Sequence, residues 1–305
     1  MKHLEPLVSA VIPAYNYGRF VGDAVDSVLG QTYPAMECIV IDDGSTDDTA
    51  VRLRRYGDRI RYFHQNNRGL PAARNAGIRM ASGEWIAFLD ADDRWHPEKT
   101  AIQLRAAASM ADLAFLGADG ATDSMPDRVP AEPAVTPVGV ADLLAGSRFG
   151  PSSAMVRLSA FEAVGLFDET LRSAEDRDMW LRLAARFPGA RVEAKCFVYR
   201  QHAAQMSRNQ RVMQESLRRV LTKFFEEHRV RPALRRLGWA HYHLDTALAL
   251  LGDGDRWSAM SHLVLSLLRH PAPSPGPHSR VKIIASILLG QAGLRWRTRH
   301  LDERA

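Results

Sequence analysis

The sequence predicts an α/β fold, a sheet of apolar strands flanked by helices, followed by an all-helical extension. Three observations predict it. Short β-branched runs alternate with helical patterns over the first 120 residues, polar clusters punctuate the ends of those runs, and strand patterns stop altogether after Arg200. The 305 residues are 46% hydrophobic and 25% charged, the balance of a soluble globular protein, which excludes long disorder and collagen-like repetition.

Strands are expected over 8–13, 37–42, 60–64, 84–89 and 113–116, with helices over 18–29, 46–56 and 71–80. The strand runs are apolar almost throughout, as expected where helices cover both faces of a sheet. Residues 122–151 are rich in Pro, Gly and Ala, with little periodicity, and read as a surface excursion. Order resumes at 152–157, helices begin near Ser159 and Ala174, and a last strand covers 192–199. Helices are then expected over 212–228, 237–251, 255–268 and 280–294, which divides the chain into residues 1–210 and a helical region, 211–305. In that region Ala240, Ala247, Ala259, Ser266 and Pro271 fall at the small-residue and proline positions of a single tetratricopeptide-like helix pair.

The net charge of +5 is unevenly placed. Residues 1–200 carry 23 Lys and Arg against 27 Asp and Glu, whereas 201–305 carry 17 against 8. An acidic first part argues against nucleic acid as the partner. No G-x-G-x-x-G follows the first strand, which disfavours a dinucleotide oxidoreductase. Cys38 and Cys196 are the only cysteines, each inside an apolar run, so no disulfide framework is expected. The N-terminus lacks a signal-peptide pattern, and the apolar stretch 281–294 is too short to span a bilayer, so a cytoplasmic location is expected. Arg280, Lys282, Arg295, Arg297 and Arg299 surround the run 283–289. A last helix of this kind suits an anionic membrane surface, and equally a packed helix with a solvated basic end.

Ligands of such sheets gather at the carboxyl ends of strands. Asn16 follows the first strand, Asp42-Asp43-Gly44-Ser45 ends the second, and Asp90-Ala91-Asp92-Asp93 follows the strand at 84–89. Asp90 and Asp92 could turn toward one hard divalent cation, whose shell ligand phosphates would complete. Alternatively, Asp90 and Asp93 cap the next helix, and Ser45, Thr46, Asp47 and Asp48 serve a helix N-terminus. The residues of either cluster leave both readings open.

Five ordered blocks carry a resemblance. They are 8–16, which ends Ile12-Pro13-Ala14-Tyr15-Asn16; 27–33, ending Gln31-Thr32-Tyr33; and 39–47, containing Asp42-Asp43-Gly44-Ser45. They continue with 67–77, containing Ala72-Ala73-Arg74-Asn75, and 83–93, ending Asp90-Ala91-Asp92-Asp93. In order and content they resemble the family 2 nucleotide-sugar glycosyltransferases of GT-A fold, a mixed sheet with flanking helices. The likeness runs from about Leu7 to Ser207.

The resemblance implies inverting transfer from a nucleoside-diphosphate donor, with a UDP-sugar the favoured donor. It places Pro13, Tyr15 and Asn16 at the base and ribose, Asp42 and Asp43 at the uracil edge and ribose, and Arg74 near the diphosphate. Asp90 would bond the ribose or sugar, Asp92 a Mn²⁺ or Mg²⁺ ion, and His202 a third position on the cation or the diphosphate. Asp176, with Glu175 as rival, aligns with the general base of the family's acidic block; first-turn helix acids with an Asp178–Arg182 pair are the structural alternative. Trp180, Leu181 and Leu183 read as core, with a wall of the acceptor site as the alternative for Trp180; Ser152 and Ser153 would contact the acceptor, and Arg200 and Arg208 would close a loop over the diphosphate. The acceptor would be a glycan, a lipid-linked sugar or a protein. Gln291 to Trp296 imitates the Gln-x-x-Arg-Trp block of processive synthases with one residue too many and far from Asp176, so single addition is expected. A non-catalytic adaptor that keeps the nucleotide fold and works through its tail is the alternative from another class.

Overall fold

A computed structural model of the chain describes residues 5–122, 124–146, 149–202, 205, 209–271, 280, 283 and 284. One sheet of nine strands organises the first two thirds. β1 (Val8–Ala14) lies between β2 (Met36–Asp42) and β4 (Trp85–Phe88), both parallel to it, and β3 (Arg61–His64) continues the parallel part beyond β2. The chain therefore runs outward from β1 to β3 and returns to β4 on the other side of β1. That reversal creates a crevice at the carboxyl ends of β1 and its neighbours. β8 (Met155–Arg157) pairs antiparallel with β4 and with β6 (Phe115–Ala121). β6 pairs parallel with the long β9 (Gly189–Val198), which also takes β5 (Arg94–Trp95) and β7 (Val135–Val138) antiparallel.

Helices cover both faces. Val8, Ala10 and Ile12 of β1 pack with Val21, Val25 and Val28 of α1 (Gly18–Leu29) and Ile102 of α4 (Lys99–Ala108). Val11 points to the opposite face, as the two-residue period of a strand requires. There it meets α3 (Leu70–Met80), where a Cβ on Gly77 would lie 2.2 Å from Val11, so only glycine lets the helix lie this close. The same face carries α6 (Leu158–Val164), α7 (Glu175–Ala184) and α8 (Gln210–Glu227). Val220, Leu221, Phe224 and Phe225 of α8 belong to one cluster with Phe88, Val156 and Trp180, so the first helix of the extension completes the core of the sheet. α9 (Pro232–Gly252) and α10 (Arg256–Arg269) form a pair with its own small cluster around Leu244, Ala247, Ala259 and Leu263. Small residues allow this approach: Ala240, Ala247, Ala259 and Ser266 are buried, and Ser266 Oγ donates to the Ala240 carbonyl at 2.7 Å.

Several expectations are corrected. The helix expected over 46–56 is α2 (Thr49–Leu53), followed by a 3-10 segment, Arg54–Arg59, that is kinked at Gly57, φ +51°. The excursion at 122–151 contains β7 and α5 (Val140–Leu144), and it buries Leu143, Leu144 and Phe149. Pro137 is tolerated in β7 because that strand pairs only with β9 and lies at an edge of the sheet. The last helix, expected over 280–294, lies outside the described residues apart from Arg280, Ile283 and Ile284. Arg280, expected to face solvent or lipid, is buried and donates from Nη1 to Ser266 O and Oγ, at 3.0 and 3.1 Å.

Candidate active site

The crevice is built where β1, β2 and β4 end. Asn16 adopts a left-handed backbone, φ +58°, which asparagine tolerates better than most residues. Its Oδ1 accepts from the Thr46 and Asp47 backbone amides at 2.8 and 3.3 Å, and its own amide donates to Ser45 Oγ. Asp47 links two helix starts, accepting from Gly18 N and Thr49 N at 2.9 Å each, so the helix-terminus reading of this residue holds. Asp42 and Asp43 are buried. Asp42 accepts from Ser45 N at 2.8 Å and from the Tyr62 hydroxyl at 2.7 Å. Asp43 accepts from Gln65 Nε2, Arg68 N and Gly69 N, and so fixes the turn into α3. Tyr15 is exposed beside them, and Pro13 lies within the sheet, one residue before the end of β1.

After β4, the three aspartates take different partners, and none of them caps α4, whose N-cap position is Glu98. Asp90 receives Arg74 Nη2 at 2.7 Å. Asp92 Oδ2 lies 2.8 Å from His202 Nε2. Asp93 accepts from Ser152 Oγ and, at 3.0 Å, from the Arg200 amide, so one carboxylate holds the returning loop against the sheet. The Arg200 side chain completes that hold, pairing with Asp23 at 2.8 Å and lying over the Phe20 ring at 4.8 Å. His202 rests against Phe20 and Tyr17, with ring centroids 5.0 and 5.9 Å apart.

Electrostatics follow from crowding and burial. Burial, with the Asp90 charge added, raises the Asp92 carboxyl despite the opposing hydrogen bond from His202. Burial and the charges of Asp92 and Asp90 push Asp93 up well beyond the usual carboxylate range. The Tyr17 phenol is held protonated by burial and by Asp92, Asp90 and Asp93. A hard cation would relieve this accumulation of negative charge. Asp92 and His202 offer it an oxygen and a nitrogen 2.8 Å apart, and donor phosphates would complete the shell. No group of three or more metal-ligating side chains is assembled among the described residues. The pair therefore fits a cation that shares its shell with a ligand.

Across the crevice lies the start of α7. Arg74 is 1% exposed and its guanidinium is occupied by Asp90 and Glu175; Nε has no partner. Instead of reaching into the crevice, it lies beneath and joins its two walls. Glu175 is buried with it, while Asp176 is half-buried and accepts the Arg177 amide at 2.7 Å. Burial raises both carboxyls, and Arg74 opposes the rise in each. The Asp178–Arg182 pair forms at 2.8 Å and ties α7 to the carbonyls of residues 164–166.

Trp180 is fully buried among Phe149 and Phe167, the core position expected of it, and so does not wall an acceptor site. Ser152 and Ser153 are buried too, and Ser152 serves Asp93. Arg208 lies outside the described residues. Sequence reasoning missed Tyr17, Phe20 and Asp23, whose part depends on contacts with a segment about 180 residues away.

Comparison with known proteins identifies the family of the domain. Residues 9–159 match the model of glycosyl transferase family 2, so the chain carries a family 2 glycosyltransferase domain, and its fold is GT-A-like. An uncharacterized glycosyltransferase of Rickettsia bellii is 34% identical over 190 residues, 58% of this chain and 27% of its own length. The putative teichuronic acid biosynthesis glycosyltransferase TuaG of Bacillus subtilis is 41% identical over 108 residues, 34% of this chain and 43% of its own. The chain spans 27% to 58% of the length of the first curated relatives it matches. S. aureus TarS 1–349, solved with UDP-GlcNAc, superposes with a TM-score of 0.59 at 15% identity, covering 93% of this chain and 92% of that one. The mannosyltransferase PcManGT of Pyrobaculum calidifontis, solved with GDP-Man and Mn²⁺, gives 0.67 at 18% identity, covering 99% and 84%. These superpositions bear on the fold.

Proposed function

We propose that the protein is an inverting, single-addition glycosyltransferase that moves a sugar from a UDP-sugar to an acceptor hydroxyl in the synthesis of a cell-surface glycan or glycolipid. The observation that carries this reading is the division of labour at the start of α7. Glu175 is committed to Arg74, which leaves Asp176, half-buried and in no ion pair among the described residues, as the carboxylate able to take a proton. A base with a raised pKa is better matched to a hydroxyl proton than an ordinary carboxylate. In the proposed step Asp176 removes that proton as the acceptor oxygen bonds to the anomeric carbon. The bond from that carbon to the diphosphate breaks on the opposite face, and the nucleoside diphosphate departs.

The donor would lie along the ends of β1 and β2, with its base and ribose against Pro13, Tyr15, Asn16, Asp42 and Asp43. Asp42 and Asp43 would act chiefly by shaping that pocket, because their oxygens already hold Ser45, Tyr62, Gln65 and the turn into α3. Asp90 would bond the ribose or sugar, and Arg74 would orient Asp90 and Glu175 from below. Asp92 and His202 would hold Mn²⁺ or Mg²⁺. When bound, such an ion stabilises the negative charge that develops on the departing diphosphate. The relatives' names support the surface-glycan setting; TarS with UDP-GlcNAc and PcManGT with GDP-Man support a nucleotide-sugar donor, and the choice of uridine rests on the sequence resemblance. No helix among the described residues is long and apolar enough to cross a membrane, and the proposed setting is the cytoplasmic side of the cell envelope.

The test is nucleotide release by the purified chain with Mn²⁺ across UDP- and GDP-sugars, with and without candidate acceptors. Acceptor-stimulated release from one UDP-sugar is expected, with Asp176→Asn binding the donor but turning over at least about a hundredfold more slowly. Equal turnover by Asp176→Asn would remove the base from the proposal, and GDP-sugars as the sole donors would overturn the uridine assignment.

A further inference from the structure

β9 ends at Val198, and the residues that follow carry His202 to Asp92. They belong to no strand, so no ladder of backbone bonds fixes their course. Arg200 N donates to the Asp93 carboxylate, and Gln205 folds back on the segment, donating to Arg200 O and accepting from His202 N. The aim of the imidazole therefore depends on what lies beside it, and that is α1. Phe20 and Asp23, three residues apart, share one face of this helix. The Asp23 carboxylate takes Arg200 Nη2 at 2.8 Å. The Phe20 ring meets the same guanidinium at 4.8 Å and the His202 imidazole at 5.0 Å, so one side chain touches both ends of the segment. Tyr17, at the N-cap position, meets the imidazole edge-on at 5.9 Å.

A histidine binds an ion only as well as its orientation allows, and groups that orient it without touching the ion commonly carry about ten- to a hundredfold of the affinity. We propose that Phe20 and Asp23 are positioning residues for a divalent cation: by clamping the segment at Arg200 and the imidazole at Phe20, α1 keeps His202 Nε2 aimed at Asp92 before the ion arrives. The inference rests on the reading of Asp92 and His202 as the cation pair. It also gives Arg200 a part other than closing over the diphosphate, because its guanidinium is engaged by Asp23 and Phe20 on α1 and steadies the ion's ligand from there. The two contacts are unequal. The Asp23 side chain is 53% exposed, so water weakens that ion pair, whereas Phe20 is half-buried and holds Arg200 and His202 together.

The experiment titrates Mn²⁺ into the full chain and reads the free ion by electron paramagnetic resonance, beside hydrogen exchange of the Arg200 and His202 amides in the metal-free protein. Wild type should bind, and Asp92→Asn and His202→Ala should lose binding, which tests the cation pair itself. Phe20→Leu should weaken Mn²⁺ binding about tenfold and Asp23→Asn about threefold, each with faster exchange at 200 and 202. Asp23→Glu, which can keep the ion pair, should restore the wild-type affinity. Because Asp23 is exposed, Asp23→Asn should leave the melting temperature unchanged. Asp26→Asn, three residues further along α1 and paired with Arg55 at 3.2 Å, removes the same charge and should bind Mn²⁺ as wild type does. Wild-type affinity in both Phe20→Leu and Asp23→Asn would overturn the proposal and leave the cation pair standing. Equal weakening by Asp26→Asn would reduce the effect to net charge and overturn it too. No binding by wild type, or undiminished binding by Asp92→Asn, would overturn the reading of the pair and this inference with it.

Discussion

Arg74→Met is the most informative single substitution. It removes a guanidinium that is 1% exposed and leaves Glu175, with 7% of its side chain exposed, without its cation. Asp90 loses the same partner but is 28% exposed and regains some water. Breaking a buried ion pair by removing one member costs about 3–5 kcal/mol, mostly through the charge left behind. Here Glu175 should dominate that cost and Asp90 add little. At about 2.1 cal/mol/K of unfolding entropy per residue, 305 residues amount to roughly 0.6 kcal/mol/K, so the melting temperature should fall by about 5–8 °C. The assay is thermal unfolding followed by circular dichroism, run as a double-mutant cycle with Glu175→Gln. Neutralising Glu175 in the Arg74→Met background should recover at least about 1 kcal/mol. A melting temperature within about 1 °C of wild type, or a cycle with no coupling, would refute the account of Arg74 as the tie between the two walls of the crevice.

Further predictions concern protons and cations. The acid limb of kcat/KM should lie above the ordinary aspartate value of 3.8, because burial raises Asp176, and it should vanish in the residual activity of Asp176→Asn. Mn²⁺ at a hundred times its dissociation constant should stabilise the protein by about 2.7 kcal/mol, roughly 4 °C, and Asp92→Asn should abolish this in a melting experiment. Lys99 is fully buried, its ammonium donating to Gln103 at 2.6 Å and lying 4.0 Å from the Trp95 ring centroid; burial lowers its pKa to about 7. The unfolded chain keeps that proton up to about 10.5, so stability should rise with pH between 7 and 10.5, by at most about 4–5 kcal/mol. Denaturant titrations of wild type and Lys99→Met test it, and an equal slope in the variant would refute it.

β1, α1, β2 and α3 were legible almost to the residue, because each couples an apolar period with a clear boundary, Asn16, Gly30 and Asp43 after the first three and Gly69 before α3. β7 and α5 were not, since four and five residues are too few to display a period. The acidic members of the site declared themselves by their place after apolar strands. Their division of labour did not. That Glu175 rather than Asp176 is tied to Arg74, and that Ser152 serves Asp93, follows from packing between segments 60 to 100 residues apart. The pairing of His202 with Asp92 needed the fold to return a distant loop to β4.

The two ends of the helical extension answer to different constraints. Phe224 and Phe225 on α8 are part of the floor on which the crevice rests, so a change there alters the enzyme wherever it works. Trp257 and Leu268 on α10 touch neither floor nor crevice. Substitutions on that helix face should therefore leave the floor and the crevice above it as they are.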